Sequence, residues 1–265
     1  MMEHISGSPT FDEYVQLSVD SGVAPVTLLF KPVVDCESGR PIAFRTETLI
    51  HSVIAGTLNE AAYTHVCDKS ETGIELFRHV LKRVISAIKQ FKDCDPPVQF
   101  LSLRCPAEAV ENPEVDLYGI LSDAIKSARL RKPSMLCIEF PASLMEKQAE
   151  KARRALLDIQ LLKVKTMICG CGKDEFPLSK LVSVSPYAVM LDSAATAWAG
   201  SRDKPQLIPA MVSYIKSMGV EAFAEGESEK RRELRNTDCA GFSDIGAALL
   251  TLEQAVNVAK AENDI

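Results

Sequence analysis

Apolar positions recur along this chain in two alternating rhythms. Val26–Val34 and Pro41–Ile50 read as β-runs, and Glu37-Ser38-Gly39-Arg40 between them has turn chemistry, so an antiparallel hairpin is expected. Downstream, short β-type runs alternate with helical stripes. Ser70–Phe91 puts Leu76, Val80, Leu81, Val84, Ile85, Ile88 and Phe91 on one helical face, and Pro96-Pro97 stops it. Strand runs follow at Val98–Leu103, Met135–Phe140, Val164–Ile168, Ala188–Leu191 and Val220–Ala224. Between them, Asn112-Pro113 is expected to open a helix, with Asn as N-cap and Pro at the first helical position. Ser143 and Glu146 suit a capping box for a helix reaching about Leu162. Leu207, Ile208, Met211, Val212, Ile215 and Met218 stripe another helix, which Gly219 closes. A charged helix from Ser228, a short run around Cys239 and a helix near Thr251–Ala259 complete the chain, and one helix is expected over Phe11–Ser18 at its start.

This alternation implies a largely parallel sheet with helices outside it. The 265 residues match one barrel domain of about 250 residues. The expected fold is therefore α/β, a TIM-like (β/α)8 barrel over residues 24–265 behind a leader segment at 1–23. The opening hairpin gives it one antiparallel strand near the N-terminus, which a standard eightfold barrel lacks.

Charge and composition narrow the function classes. The net charge is −6, and Lys and Arg are scattered, so the basic footprint of nucleic-acid binding is missing. Met1–Asp20 lacks the basic start and apolar centre of a signal peptide, and no apolar run approaches the roughly 18 residues of a membrane span. A cytoplasmic protein is expected, with its eight cysteines reduced. Cys169-x-Cys171 is a weak metal signal, and small apolar residues filling a barrel interior are the plainer reading.

The stretch Val164–Leu181, VKTMICGCGKDEFPLSKL, carries the most information. A β-run ends in Cys169-Gly170-Cys171-Gly172, at the strand end where barrel enzymes carry catalytic groups. It resembles the DDFGTGYSSL motif of EAL-domain cyclic-di-GMP phosphodiesterases. Cys169 and Gly170 stand where that family has two metal-binding aspartates, Gly172 matches the motif glycine and Leu178 its last leucine. The resemblance extends over roughly residues 24–262. FKPVVDCESGRPIAFRTETLIHS, Phe30–Ser52, looks like the family's opening hairpin, with Glu47 on the glutamate of the name motif and His51 where a nucleotide-gripping arginine is expected. FLSLRCP puts Arg104 on the metal-binding asparagine. LCIEFPAS keeps the first glutamate of LEITES as Glu139 and has Ala142 for the second. VMLD replaces the catalytic lysine by Met190 and keeps Asp192. AFAEGESE keeps Glu225 of the AEGVE motif, with Ser228 in place of its second glutamate, and AGF at Ala240–Phe242 lacks the glutamine of QGY.

The resemblance implies a degenerate EAL-type barrel, a pseudoenzyme that is not an enzyme and holds no metal or cofactor. Hard divalent ions need clustered oxygen ligands, whereas Gly170 offers none and Cys169 is a soft donor. Glu47, Glu139 and Glu225 then read either as a weak residual cation site or as a structural remnant held by Arg104 or water. Arg104 is expected to pair with Glu47 or Glu139, and Asp192 to act as a strand-end or capping residue. The implied role is a protein-interaction module in bacterial signalling, its partner another protein and a homodimer conceivable. The alternative is a non-catalytic receptor for cyclic-di-GMP or a related nucleotide. A third reading, altered chemistry at Cys169 or Cys171, lacks an obvious histidine base. Trp198, in the polar segment Ala194–Lys204, reads either as an interface residue or as simple packing.

Overall fold

The hairpin forms as its alternation requires. In a computed structural model, which describes residues 26–52, 56–68, 71–172 and 181–261, strand β1 (Val26–Val34) pairs antiparallel with β2 (Pro41–Ser52), from Val26 opposite Ile50 to Val33 opposite Ala43. The turn between them is held by Asp35, whose Oδ1 accepts from the Ser38 N–H at 2.7 Å. Gly39 sits there at φ +73°, a backbone conformation that calls for glycine.

Six further strands complete a closed ring. They are β4 (Leu101–Arg104), β5 (Leu136–Pro141), β6 (Lys165–Cys171), β7 (Ala188–Leu191), β8 (Glu221–Gly226) and β9 (Gly241–Asp244). The order β1-β9-β8-β7-β6-β5-β4-β2 closes through the β1–β2 pairing, and the short β3 (Gly56–Leu58) extends β2 outside the ring. Every ring contact from β2 through β9 is parallel, whereas β1 runs antiparallel to both its neighbours. The barrel with one reversed strand is thus the fold expected from the sequence.

The barrel interior is one apolar layer with a contribution from nearly every strand. Val33, Ala43, Phe100, Cys137, Met167, Ala188, Met190 and Phe223 are all buried and packed together. Phe100 meets Phe223 edge to face at 5.7 Å. Outside the ring, the helices bury their apolar stripes against the strands in a second, larger core. The helix Glu71–Ile88, for example, buries Val80, Leu81, Val84 and Ile85. No described helix is long and apolar enough to cross a membrane.

Several local expectations are corrected. β6 does not stop at Ile168 but runs to Cys171, its register shifting between Cys169 and Cys171 around Gly170 at φ +82°. Asn112 ends a short helix, Glu108–Glu111, instead of opening one, and the next helix starts at Leu117 with Asp116 as N-cap. The stretch from Ala142 to Leu161 breaks into two helices at Gln148, and Pro141 supplies no side-chain cap. The strand β9 and the helix Glu60–Cys67 are the main elements not expected as such. The leader helix, and Leu178 in the β6–β7 connection, lie outside the described residues.

Candidate functional site

Side chains on a strand alternate faces, so the residue two beyond each interior position also points inward. Two steps beyond Ala43, Phe100, Cys137, Met167 and Phe223 stand Arg45, Ser102, Glu139, Cys169 and Glu225. The apolar layer thus carries a polar layer at the C-terminal ends of the parallel strands, where barrel sites are built.

Arg45 organises this layer. Its Nε and Nη2 donate to the two oxygens of Glu139 at 2.9 and 2.8 Å, and its Nη1 donates to Glu225 Oε2 at 2.6 Å. Glu139 also accepts from the Ser102 hydroxyl and, at 3.4 Å, from the Cys169 thiol. The Glu139 side chain is only 7% exposed, against 21% for Arg45 and 22% for Glu225. Burial would push the Glu139 carboxyl up, but Arg45 and the Ser102 and Cys169 hydrogen bonds outweigh it and hold the carboxyl below its ordinary value. Burial likewise opposes the Arg45 charge, yet Glu139, Cys169 and Glu225 hold the guanidinium well above its ordinary value. Burial, reinforced by Glu139, pushes the Cys169 thiol well up, so it stays a protonated donor.

The outermost charges pair elsewhere. Arg104 forms a bidentate bond to Asp68, at 2.9 and 2.6 Å, and Asp68 also accepts from the Ala107 N–H. The expected pairing of Arg104 with Glu47 or Glu139 is therefore wrong. Arg45 already occupies Glu139, and Asp68, following the helix Glu60–Cys67, meets the Arg104 fork. Glu47 instead faces Lys31 across the hairpin at 3.4 Å. Asp192 caps the helix Ser193–Thr196, accepting from the Ala194 N–H at 2.8 Å, as a capping residue should. Met190 is wholly buried in the apolar layer. His51 lies between Thr27 and Thr57, 2.9 and 3.1 Å from their hydroxyls. Trp198 is 42% exposed, with Lys204 Nζ 4.6 Å from its ring centroid. Of the strand-end residues singled out from sequence, then, Glu139, Cys169 and Glu225 share one network, while Glu47, Arg104 and Asp192 are engaged separately.

Arg45, Lys31, Asp68, Ser102 and Glu60 were not singled out from sequence. Arg45 did leave a signal: it lies two residues before Glu47 in one strand, hence on the same face. Glu60 lies beside a cavity of about 40 Å³ also lined by Thr48, Tyr63, Asp68 and Arg104. Burial, aided by Glu139, raises its carboxyl to about 7.

A pair of divalent ions needs hard oxygen donors free to turn toward it. Here three guanidinium nitrogens hold Glu139 and Glu225, and Cys169 donates to Glu139. No described cluster of three or more His, Cys, Asp or Glu is arranged to hold a metal. The residues present do not fit such a pair.

The EAL-domain family model matches residues 23–240. The chain belongs to the EAL-domain family. No curated protein matches it in sequence. Among solved structures, the PaMucR phosphodiesterase in complex with c-di-GMP aligns at TM-score 0.79 and 15% identity, covering 92% of this chain and 99% of that one. The EAL enzyme Bd1971 in its cAMP-bound form aligns at TM-score 0.78 and 14% identity, covering 94% and 71%. The FimX EAL domain from Pseudomonas aeruginosa bound to c-di-GMP aligns at TM-score 0.75 and 13% identity, covering 89% and 94%. At these identities the likeness establishes the fold. This EAL domain is thus related to proteins that bind or hydrolyse c-di-GMP, and the expectation that it is not an enzyme is corrected. It shares its family fold with structures described as a phosphodiesterase and as an EAL enzyme, so the missing aspartates do not by themselves set it apart as a non-enzyme.

Proposed function

We propose that this EAL domain serves cyclic-di-GMP-linked bacterial signalling by recognising another protein. The observation that carries this reading is the state of the barrel mouth. Arg45 is spent on Glu139 and Glu225, Arg104 on Asp68, Lys31 on Glu47, and Asp192 on a helix N-terminus. A phosphate-bearing ligand would have to compete for Arg45, Arg104 and Lys31. On the outside, Trp198 stands exposed, and Leu207 and Tyr214, two turns apart on the helix Leu207–Ser217, are exposed on one face. Exposed aromatic side chains are enriched at the centres of protein interfaces.

A second reading, binding of cyclic-di-GMP itself, is favoured by the c-di-GMP complexes among the similar structures. One experiment separates the two. The purified domain is titrated with cyclic-di-GMP, and in parallel used to capture partners from native lysate. A partner that binds wild type and Glu47→Ala but not Trp198→Ala supports protein recognition. Saturable micromolar nucleotide binding without such a partner moves the assignment to the second reading. Turnover is followed in the same samples, because the family includes phosphodiesterases.

A further inference from the structure

We infer that the Arg45 guanidinium is the built-in cation of this barrel mouth, standing where relatives of this fold would place divalent ions. Arg45 lies in the same inward-facing layer as Glu139 and Glu225, two of the three glutamates that the family resemblance left as a residual cation site or a structural remnant. It reaches them from β2 and so joins the ends of three strands, β2, β5 and β8. Three of its nitrogens each meet a carboxylate oxygen within 3 Å, at 2.9, 2.8 and 2.6 Å.

Charge is consistent with this role. Glu139 and Glu225 together contribute two negative charges and Arg45 returns one positive charge, so the trio carries a net charge of −1. An aspartate at position 169 would add a third carboxylate and double that imbalance to −2. Cys169 avoids it, because its thiol donates a hydrogen bond to Glu139 instead of adding an anion beside it. Cys169 and Arg45 thus act in the same direction on the charge of this layer. A carboxylate as buried as Glu139 is costly to keep charged without a partner, so Arg45 is a positioning residue for this layer.

The test is a charge-compensation cycle read by thermal melting, run in chelator so that no adventitious ion takes the place of the guanidinium. Breaking a buried pair by removing one partner is strongly destabilising, so Arg45→Met should melt about 6–12 °C below wild type. Arg45→Lys, which keeps the charge but loses the planar fork, should fall between the two. The decisive variant is Arg45→Met combined with Glu139→Gln and Glu225→Gln. Its loss should be clearly smaller than the sum of the losses from Arg45→Met and from the two glutamine changes made together. If Arg45→Met fails to fold, recovery of a cooperative melt in the triple variant supports the inference. Additive losses, an unfolded triple variant, or an Arg45→Met protein that melts like wild type would overturn it.

Discussion

Glu60 should make this protein less stable as pH rises through neutrality. Its carboxyl titrates near 7 in the folded chain, against 4.5 for the unperturbed group. Below about 4.5 it is protonated in both states and contributes nothing. Above about 7 the unfolded chain carries the charge freely in water, while the folded chain must bury it near Glu139 and Glu47. A raised carboxyl is therefore a penalty that grows between these two values and then levels off. A shift of that size corresponds to roughly 3 kcal/mol as an upper limit. The side chain is only partly shielded from water, so about 2 kcal/mol is the working figure. Glu60→Gln keeps an oxygen to accept from the Thr48 N–H, now at 3.1 Å, and removes the titration. The variant should melt about 4–8 °C above wild type at pH 8 and close to it at pH 4.5. Melting both proteins at several pH values and plotting the difference cancels every group they share. A difference that is flat with pH, or a variant less stable than wild type at pH 8, refutes the reasoning.

Two further outcomes follow from the same strand-end region. The Cys169 thiol, pushed well up by burial and then by Glu139, should resist alkylation in the native protein at pH 8 and react only on unfolding; a native thiol that reacts quickly and vanishes in Cys169→Ser contradicts this. Gly172→Ala should cost about 1–3 kcal/mol in denaturant unfolding, because Gly172 lies at φ +88° and a Cβ there would sit 2.7 Å from the Ala195 Cβ; an unchanged midpoint contradicts that.

Sequence rhythm carried the hairpin, the order of the strands and most helices, because period two and period 3.6 each report which face an element buries. It misplaced boundaries where tertiary contacts override local signals. The Ser143–Glu146 capping pattern does not start its helix, because Pro141 ends β5 and Ala142 is already helical. The β-run ending at Ile168 continues through two cysteines and a glycine because β7 pairs with it as far as Cys171. The strand-end residues were legible through the family motifs, but their partners were not. Which arginine reaches Glu139 depends on how far along its strand each guanidinium begins: Arg45 starts two residues deeper than Glu47, while Arg104 sits at the end of β4, beside Asp68. Pairing of that kind is set by the stagger between strands, which a sequence does not print.

If Arg45 is the cation of the barrel mouth, Glu139 and Glu225 have no divalent ion to hold. Calorimetric titration of Mn²⁺ into the native protein tests this most directly. No tight stoichiometric heat is expected, for wild type and for Glu139→Gln alike. A stoichiometric Mn²⁺ site in wild type that disappears in Glu139→Gln would contradict it.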